Sequence, residues 1–179
     1  SLIAEKKDEI AFIEAGLDLV EDLTYSGISF LHFCLSEESG AESTIWSERT
    51  LEEYLETTDD PHLPFEVAGF CANVQSQLTA VMFNDFADYE YRSDFPEGKT
   101  GLKRLISVPV IEDGQVVLVV GIGNRDTEYS VLEKETVQLI ANEMWRIIQR
   151  RRLEIRSVRF SRVLENSLNE IFIFDSTNM

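Results

Sequence analysis

The sequence predicts an α+β domain built on a central antiparallel sheet, with helices at both ends of the chain. Three observations carry that expectation. Residues 105–112 and 115–124, LISVPVIE and QVVLVVGIGN, are two β-branched runs joined by Asp113-Gly114, a dipeptide suited to a type I′ hairpin. An amphipathic helical pattern precedes the first strand-like run, and a longer one follows the hairpin. The length and composition agree: 179 residues, 44% of them hydrophobic, are enough for one domain to bury a core without disulfides or a structural metal.

Along the chain, Ile10, Ile13, Leu17 and Val20 recur at spacings of three and four among Glu5, Asp8, Glu9, Glu14, Asp18 and Glu21, which predicts a helix over 4–23 with one buried face. GISFLHFCLS (27–36) opens on glycine and runs into the polar cluster SEESGAES, the pattern of a strand and a turn, and STIWSE (43–48) is the expected return strand. Thr50 and Glu53 make a T-x-x-E capping box, so a short helix is expected to open at Thr50 and stop before Asp59, Asp60 and Pro61. A further helix is expected over 66–77, with Val67, Phe70, Cys71 and Val74 on one face, followed by a strand within 78–85. The connection 85–103 exceeds the roughly 12–15 residues usual in compact domains, which makes it the first place to look for function. Ser130 and Glu133 form a second capping box and open a helix carrying Val137, Ile140, Ala141, Met144, Ile147 and Ile148. No proline or glycine lies between Glu128 and Met179, so this helix is expected to run on through Ile155 and Val158 to about Leu168.

Charge separates the chain into two parts. It has 33 acidic and 16 basic side chains, net −17, which argues against nucleic acid or an anionic membrane as partner. Residues 1–145 are net −20, whereas 146–179 are net +3 and hold Arg146, Arg150, Arg151, Arg152, Arg156, Arg159 and Arg162. Aromatic interleaving and a nucleic-acid motif are both missing from that basic stretch. Ala141, Met144, Ile148, Ile155 and Val158 instead fit a and d positions of a heptad interrupted by Arg151 and Arg162, so a parallel coiled coil, and with it a homodimer, is expected through Met144, Ile148, Ile155 and Val158. No apolar stretch approaches the roughly 20 residues of a membrane span and no signal-peptide pattern opens the chain, so a cytoplasmic location is expected, with any membrane anchor of a parent protein outside this segment. Cys34 and Cys71 lack a CxxC spacing and His32 and His62 are the only histidines, which argues against a zinc site and reads both thiols as small buried hydrophobes.

FNDFADYEYRSDFPEG (83–98), LKRLISVPVIEDGQVVLVVGIGNRDTEYS (102–130) and ANEMWRIIQRRR (141–152) resemble the GAF domains that lie upstream of PAS domains in sensor histidine kinases and diguanylate cyclases. LENSLNEIFIFDSTNM (164–179) is similar to the opening of a PAS domain, with IFIFD (171–175) as its first strand. The resemblance implies a GAF-like sensory domain over 1–152, a helical linker over 153–168 and the start of a PAS domain over 169–179. It also implies a sheet of five or six strands, the terminal helices on one face, and a small-molecule pocket on the other under the 66–77 helix and the 85–103 loop. The ligand-binding residues it implies are Phe70, Val74, Asn84, Tyr89, Tyr91, Arg92, Arg104 and Ser107, with Arg92 and Arg104 as the cations for an anionic ligand.

No cofactor follows from the resemblance. The N-K…F…D-E pattern of cyclic-nucleotide-binding members is met by Asn124, Arg125, Tyr129 and Glu133, with Lys134 at the last acidic position, and these residues are read as tying the strand exit to the helix cap. Bilin attachment has a cysteine often followed by histidine, whereas Cys71 precedes Ala72 and Cys34 precedes Leu35; His32 is read as a satisfied core or surface residue rather than a haem ligand. The expected function is a non-catalytic sensory module of a multidomain signal-transduction protein, binding an unidentified small molecule and acting on output domains of the same chain. Two alternatives stand beside it: a thiol-dependent enzyme of the free methionine sulfoxide reductase type, and a ligand-free dimerisation spacer.

Overall fold

The predicted hairpin is the centre of the sheet. In the computed structural model, which describes residues 2–34, 44–57, 67–89 and 101–176, β4 (Leu105–Glu112) and β5 (Gln115–Gly123) pair from Leu105↔Gly123 to Glu112↔Gln115, with one irregularity at Val110/Ile111. Asp113 and Gly114 take φ values of 49° and 77°, the positive angles that a type I′ turn requires at both central positions. β1 (Ile28–Phe33) pairs with β5, β2 (Thr44–Trp46) with β1, and β3 (Val81–Phe83) with β4. The result is a five-stranded antiparallel sheet of order β2-β1-β5-β4-β3, the expected α+β class.

The chain divides into two compact units, residues 1–144 and 145–179. In the first, α1 (Leu2–Thr24) buries Ile13, Leu17 and Val20, three of the four positions its periodicity marks. Met144 lies directly against Gly16 of α1, where a side-chain Cβ would come within 2.6 Å of the methionine methyl. α3 (Val67–Gln77) covers the opposite face, where Cys71 and Val74 join the cluster that contains Phe30, Phe83, Leu105 and Val119.

The start of α2 (Glu48–Thr57) differs from expectation. Thr50 does not cap it; the Thr50 N–H donates to Ser47 Oγ at 3.0 Å, so Ser47 is the capping residue and Thr50 lies inside the first turn. The cause is a buried carboxylate. Glu21 of α1 is fully buried, and its Oε1 accepts from Ser29 Oγ at 2.7 Å, from Thr50 Oγ1 at 3.2 Å and from Ser47 Oγ. Arg49 Nη1 lies 3.4 Å from its other oxygen. Burying a carboxylate is costly unless its oxygens are partnered, and satisfying Glu21 draws all three hydroxyls inward.

In the second unit, α4 (Val131–Ser176) continues as one helix to its last described residue. This corrects two expectations, since the helix passes Leu168 and residues 171–175 are helical rather than a strand. A lone strand leaves its backbone groups without neighbours, whereas a helix satisfies them within itself, and no proline or glycine interrupts the run.

One close approach tests the packing. Phe30 and Gly121 are register partners, and a Cβ at Gly121 would fall 2.2 Å from the Phe30 ring. Gly121→Ala therefore overpacks the sheet and is expected to lower stability by about 2 kcal/mol in chemical denaturation. The double variant Gly121→Ala with Phe30→Leu is expected to recover part of that loss.

Candidate functional site

The sheet face beneath α3 is the candidate site. Strand alternation puts Phe30, Gly121, Ser107 and Val81 in one row across four strands, and Ile28, Gly123, Leu105 and Phe83 in the next. Trp46 adds its indole beside Phe30, with ring centroids 5.4 Å apart. After β3, a single 3₁₀ turn at Phe86–Asp88, capped by Asp85 Oδ1 accepting from the Ala87 N–H at 2.9 Å, folds two further rings over the face. Tyr89 lies 4.9 Å from Phe83 and 6.1 Å from Phe86, centroid to centroid. Asn73 of α3 donates its amide to Tyr89 Oη at 2.6 Å, joining the roof helix to this aromatic group.

The site is largely apolar, with a buried serine in the middle of its central row. Ser107 is fully buried, and among the described residues its Oγ has no hydrogen-bond partner. A buried hydroxyl left without a partner costs about 1–3 kcal/mol. His32, one row further along β1, is satisfied through Nδ1 to Thr44 Oγ1 at 2.7 Å, and burial pushes its pKa down. Cys34 and Cys71 are both free thiols, and burial pushes both pKa values up.

The sequence-predicted residues separate into three groups. Val74, Tyr89 and Ser107 come together on this face, Val74 and Tyr89 inside the cluster. Phe70 lies on α3, but its side chain is outside the described residues, as are Tyr91 and Arg92 altogether. Asn84 and Arg104 belong to a polar knot behind the head of α4. Asn84 Nδ2 donates to the Tyr129 carbonyl at 3.0 Å while its Oδ1 accepts the Tyr129 N–H at 2.6 Å, and Arg104 Nη1 donates to the Arg125 carbonyl at 3.4 Å. Sequence reasoning did not single out Phe30, Trp46, Phe83 or Phe86 as site residues. The alternation of GISFLHF was the signal available for Phe30, but nothing in the sequence tells which face of a two-sided core meets a roof helix.

The knot is the strand-to-helix tie that the sequence suggested. Asn124, at φ 56°, accepts the Lys103 N–H at 2.8 Å and donates to the Gly101 carbonyl at 3.0 Å. Arg125 pairs with Glu133 at 2.7 Å, and Tyr129 Oη is hydrogen-bonded to Ser26 Oγ at 2.7 Å. Glu133 Oε2 accepts from both the N–H and the Oγ of Ser130 at 2.7 Å, and Ser130 Oγ accepts the Leu132 N–H at 3.2 Å, a complete capping box.

Among the described residues no group of three or more His, Cys, Asp or Glu is placed to hold a metal, and no helix is long and apolar enough to cross a membrane. An open groove of about 400 Å³ lies elsewhere, lined by Thr79, Pro109, Ile111, Gln138 and Asn142. Gln138 Nε2 there already donates to the Pro109 carbonyl and to Asn142, so the groove offers little unmet polarity.

The sequence pattern of the GAF domain matches residues 6–149. The chain belongs to the GAF domain family. This GAF domain is 26% identical over 150 residues to the methyl sulfide methyltransferase-associated sensor of Methanosarcina acetivorans, an alignment covering 83% of the chain but only 15% of that sensor. Its fold is similar to a GAF domain/HD domain protein from Geobacter sulfurreducens (TM-score 0.58, 13% identity, 82% of this chain and 95% of that one). It is also similar to the type II free methionine-R-sulfoxide reductase from Thermoplasma acidophilum (TM-score 0.53, 12% identity, 78% and 92%). At these identities the two structures speak for the fold alone.

The capping box sets a pH dependence. The Ser130 hydrogen bonds, supported by Arg125, hold the Glu133 carboxyl at about 2 against an ordinary 4.5. A carboxylate whose pKa falls on folding stabilises the folded form above its unfolded value, and that contribution is lost as pH falls toward the folded value. Glu133→Gln is therefore expected to be less stable than the native chain at neutral pH, with the gap closing between pH 4.5 and about 2 in paired denaturation curves.

Proposed function

We propose that this GAF domain is a non-catalytic sensory module of a longer cytoplasmic signalling protein, a sensor histidine kinase or diguanylate cyclase, with the basic part of α4 leading to a PAS and an output domain. Its signal is a small, largely apolar and uncharged molecule bound on the aromatic face beneath α3. The observation that carries this reading is Ser107: a buried hydroxyl with no partner among the described residues, on the face of Phe30, Trp46, Phe83 and Tyr89, suits a flat ligand that brings a polar atom. Arg104 already gives one guanidinium N–H to the Arg125 carbonyl. The named sensor among its relatives supports the sensory class.

The enzyme alternative meets a chemical obstacle. Sulfoxide reduction needs a thiolate, and burial holds Cys34 and Cys71 in the thiol form. The spacer alternative is favoured by the close fit of Phe30 on Gly121, which leaves no room at that point. The two readings part on Ser107→Ala. Removing an unsatisfied hydroxyl is expected to leave stability unchanged or raised by up to about 1 kcal/mol. Thermal-shift screening with neutral aromatic compounds is expected to find stabilisers of the native chain whose effect is lost in that variant. A screen without stabilisers would favour the spacer.

Within 145–179, Leu153, Phe160, Leu164 and Leu168 are exposed at spacings of seven, four and four, one side of a helix. We assign this stripe, rather than the expected Met144 and Ile148, which are buried, to a second copy of the chain. Ile155 is half-buried and Val158 exposed, and both lie off the stripe. Light scattering is expected to show a dimer that Phe160→Glu with Leu164→Glu converts to monomer without loss of the folded sheet. A native monomer would overturn the assignment.

A further inference from the structure

We infer that Cys34 and Cys71 form an oxidisable dithiol whose disulfide would staple the roof helix α3 to the end of β1. The two residues are 37 positions apart in the chain, and the fold brings them onto the same apolar cluster: Cys71 is a buried member and Cys34 packs against it. Cys34 is placed by the sheet, its N–H donating to the Val117 carbonyl at 3.0 Å just beyond β1. Its thiol donates to the His32 carbonyl at 3.9 Å, and the side chain of Gln75, four residues after Cys71 and therefore on the same side of α3, is near enough to offset part of the upward shift of its pKa. The sulfurs are also near enough that a charge on Cys34 pushes the Cys71 pKa up further.

The surroundings that disfavour a thiolate do not disfavour a disulfide, which is uncharged and apolar. With hydrogen peroxide as oxidant, the half-buried Cys34 sulfur attacks as thiolate, its S–O bond forming as the O–O bond breaks and hydroxide leaves. Cys71 then attacks the sulfenic sulfur; the S–S bond forms, the S–O bond breaks, and water departs with the Cys71 proton. Two thiols and one peroxide thus give one disulfide and two waters. The thiolate is scarce at both positions, so the reaction is slow and answers sustained rather than brief oxidation. Its product crosses the aromatic face from helix to sheet, so it holds the roof of the candidate site in place. The inference stands whether or not that site takes a ligand.

The test treats the folded chain with hydrogen peroxide, denatures it, and alkylates the remaining thiols before mass spectrometry and peptide mapping. Both thiols are expected to be lost together, with a crosslinked peptide joining Cys34 to Cys71 and full recovery under dithiothreitol. Oxidation is expected to raise the thermal midpoint of the native chain and to leave those of Cys34→Ser and Cys71→Ala unchanged. Cys34→Ser, at the half-buried position, keeps the comparison open should Cys71→Ala fail to fold. The inference is overturned if both thiols remain alkylatable, if each is oxygenated separately, or if the crosslink joins two chains.

Discussion

The structure depends on a hairpin that has to be covered on both faces. Leu105 to Val110 and Val116 to Gly123 are buried residue after residue, with none of the inward–outward alternation of a half-exposed antiparallel strand. Each large aliphatic side chain there is worth about 1.5–3 kcal/mol when removed from water, so neither face can be left open. α1 and the head of α4 close one side and α3 with the aromatic turn closes the other. The closures rely on two glycines. Gly16 admits Met144 and Gly121 admits the Phe30 ring, each at a distance no Cβ would allow.

Covering the sheet also buries polarity, and the chain meets that in two ways. Glu21 is supplied with three hydroxyls from β1 and the turn before α2, which fixes α1 to the sheet edge through side chains rather than backbone pairing. Arg49 is half exposed, so its contacts with Glu21 and Asp22 are of the solvent-screened kind and add little beside those hydroxyls. The knot around Tyr129 does the same at the other end, where Asn84 satisfies the Tyr129 backbone, Asn124 satisfies the backbone of Gly101 and Lys103 before β4, and Arg125 pairs with Glu133. Both are frameworks of position. The sheet face beneath α3 is left largely apolar, with this polar bracing elsewhere.

Much of this was legible in the sequence because it rests on local patterns. Asp113-Gly114, the S-x-x-E box at Ser130 and the 3.6-residue period of Ile13, Leu17 and Val20 each act over a few residues, and each appears in the structure where its pattern places it. What was misjudged depends on contacts distant in sequence. Thr50 matches a cap by spacing, yet Glu21, 29 residues away in the chain, claims its hydroxyl and leaves capping to Ser47. Met144 and Ile148 match a heptad seam, yet both are already buried. Asn84 and Arg104, expected as ligand contacts, carry hydrogen bonds to Tyr129 and to the Arg125 carbonyl that spacing alone does not reveal. A sequence lists the polar groups of a site but not which backbone groups already engage them.

Ser107 is a polar residue of the aromatic face for which no such bracing is seen among the described residues. A core formed only for stability would carry an apolar residue at position 107, since a hydroxyl without a partner costs more than the methyl it replaces. The neighbouring strands had no need of a serine there: Gly121 and Val81, on either side of Ser107, bring no side-chain hydrogen-bonding group. The roof helix is joined to the aromatic turn after β3 by Asn73 to Tyr89, a link between side chains that can separate without breaking backbone pairing. The face beneath α3 thus combines packed aromatic rings with a buried hydroxyl that has no partner among the described residues. Were a molecule to bind there, it would bias α3 only to the extent that it fits one roof position better than another.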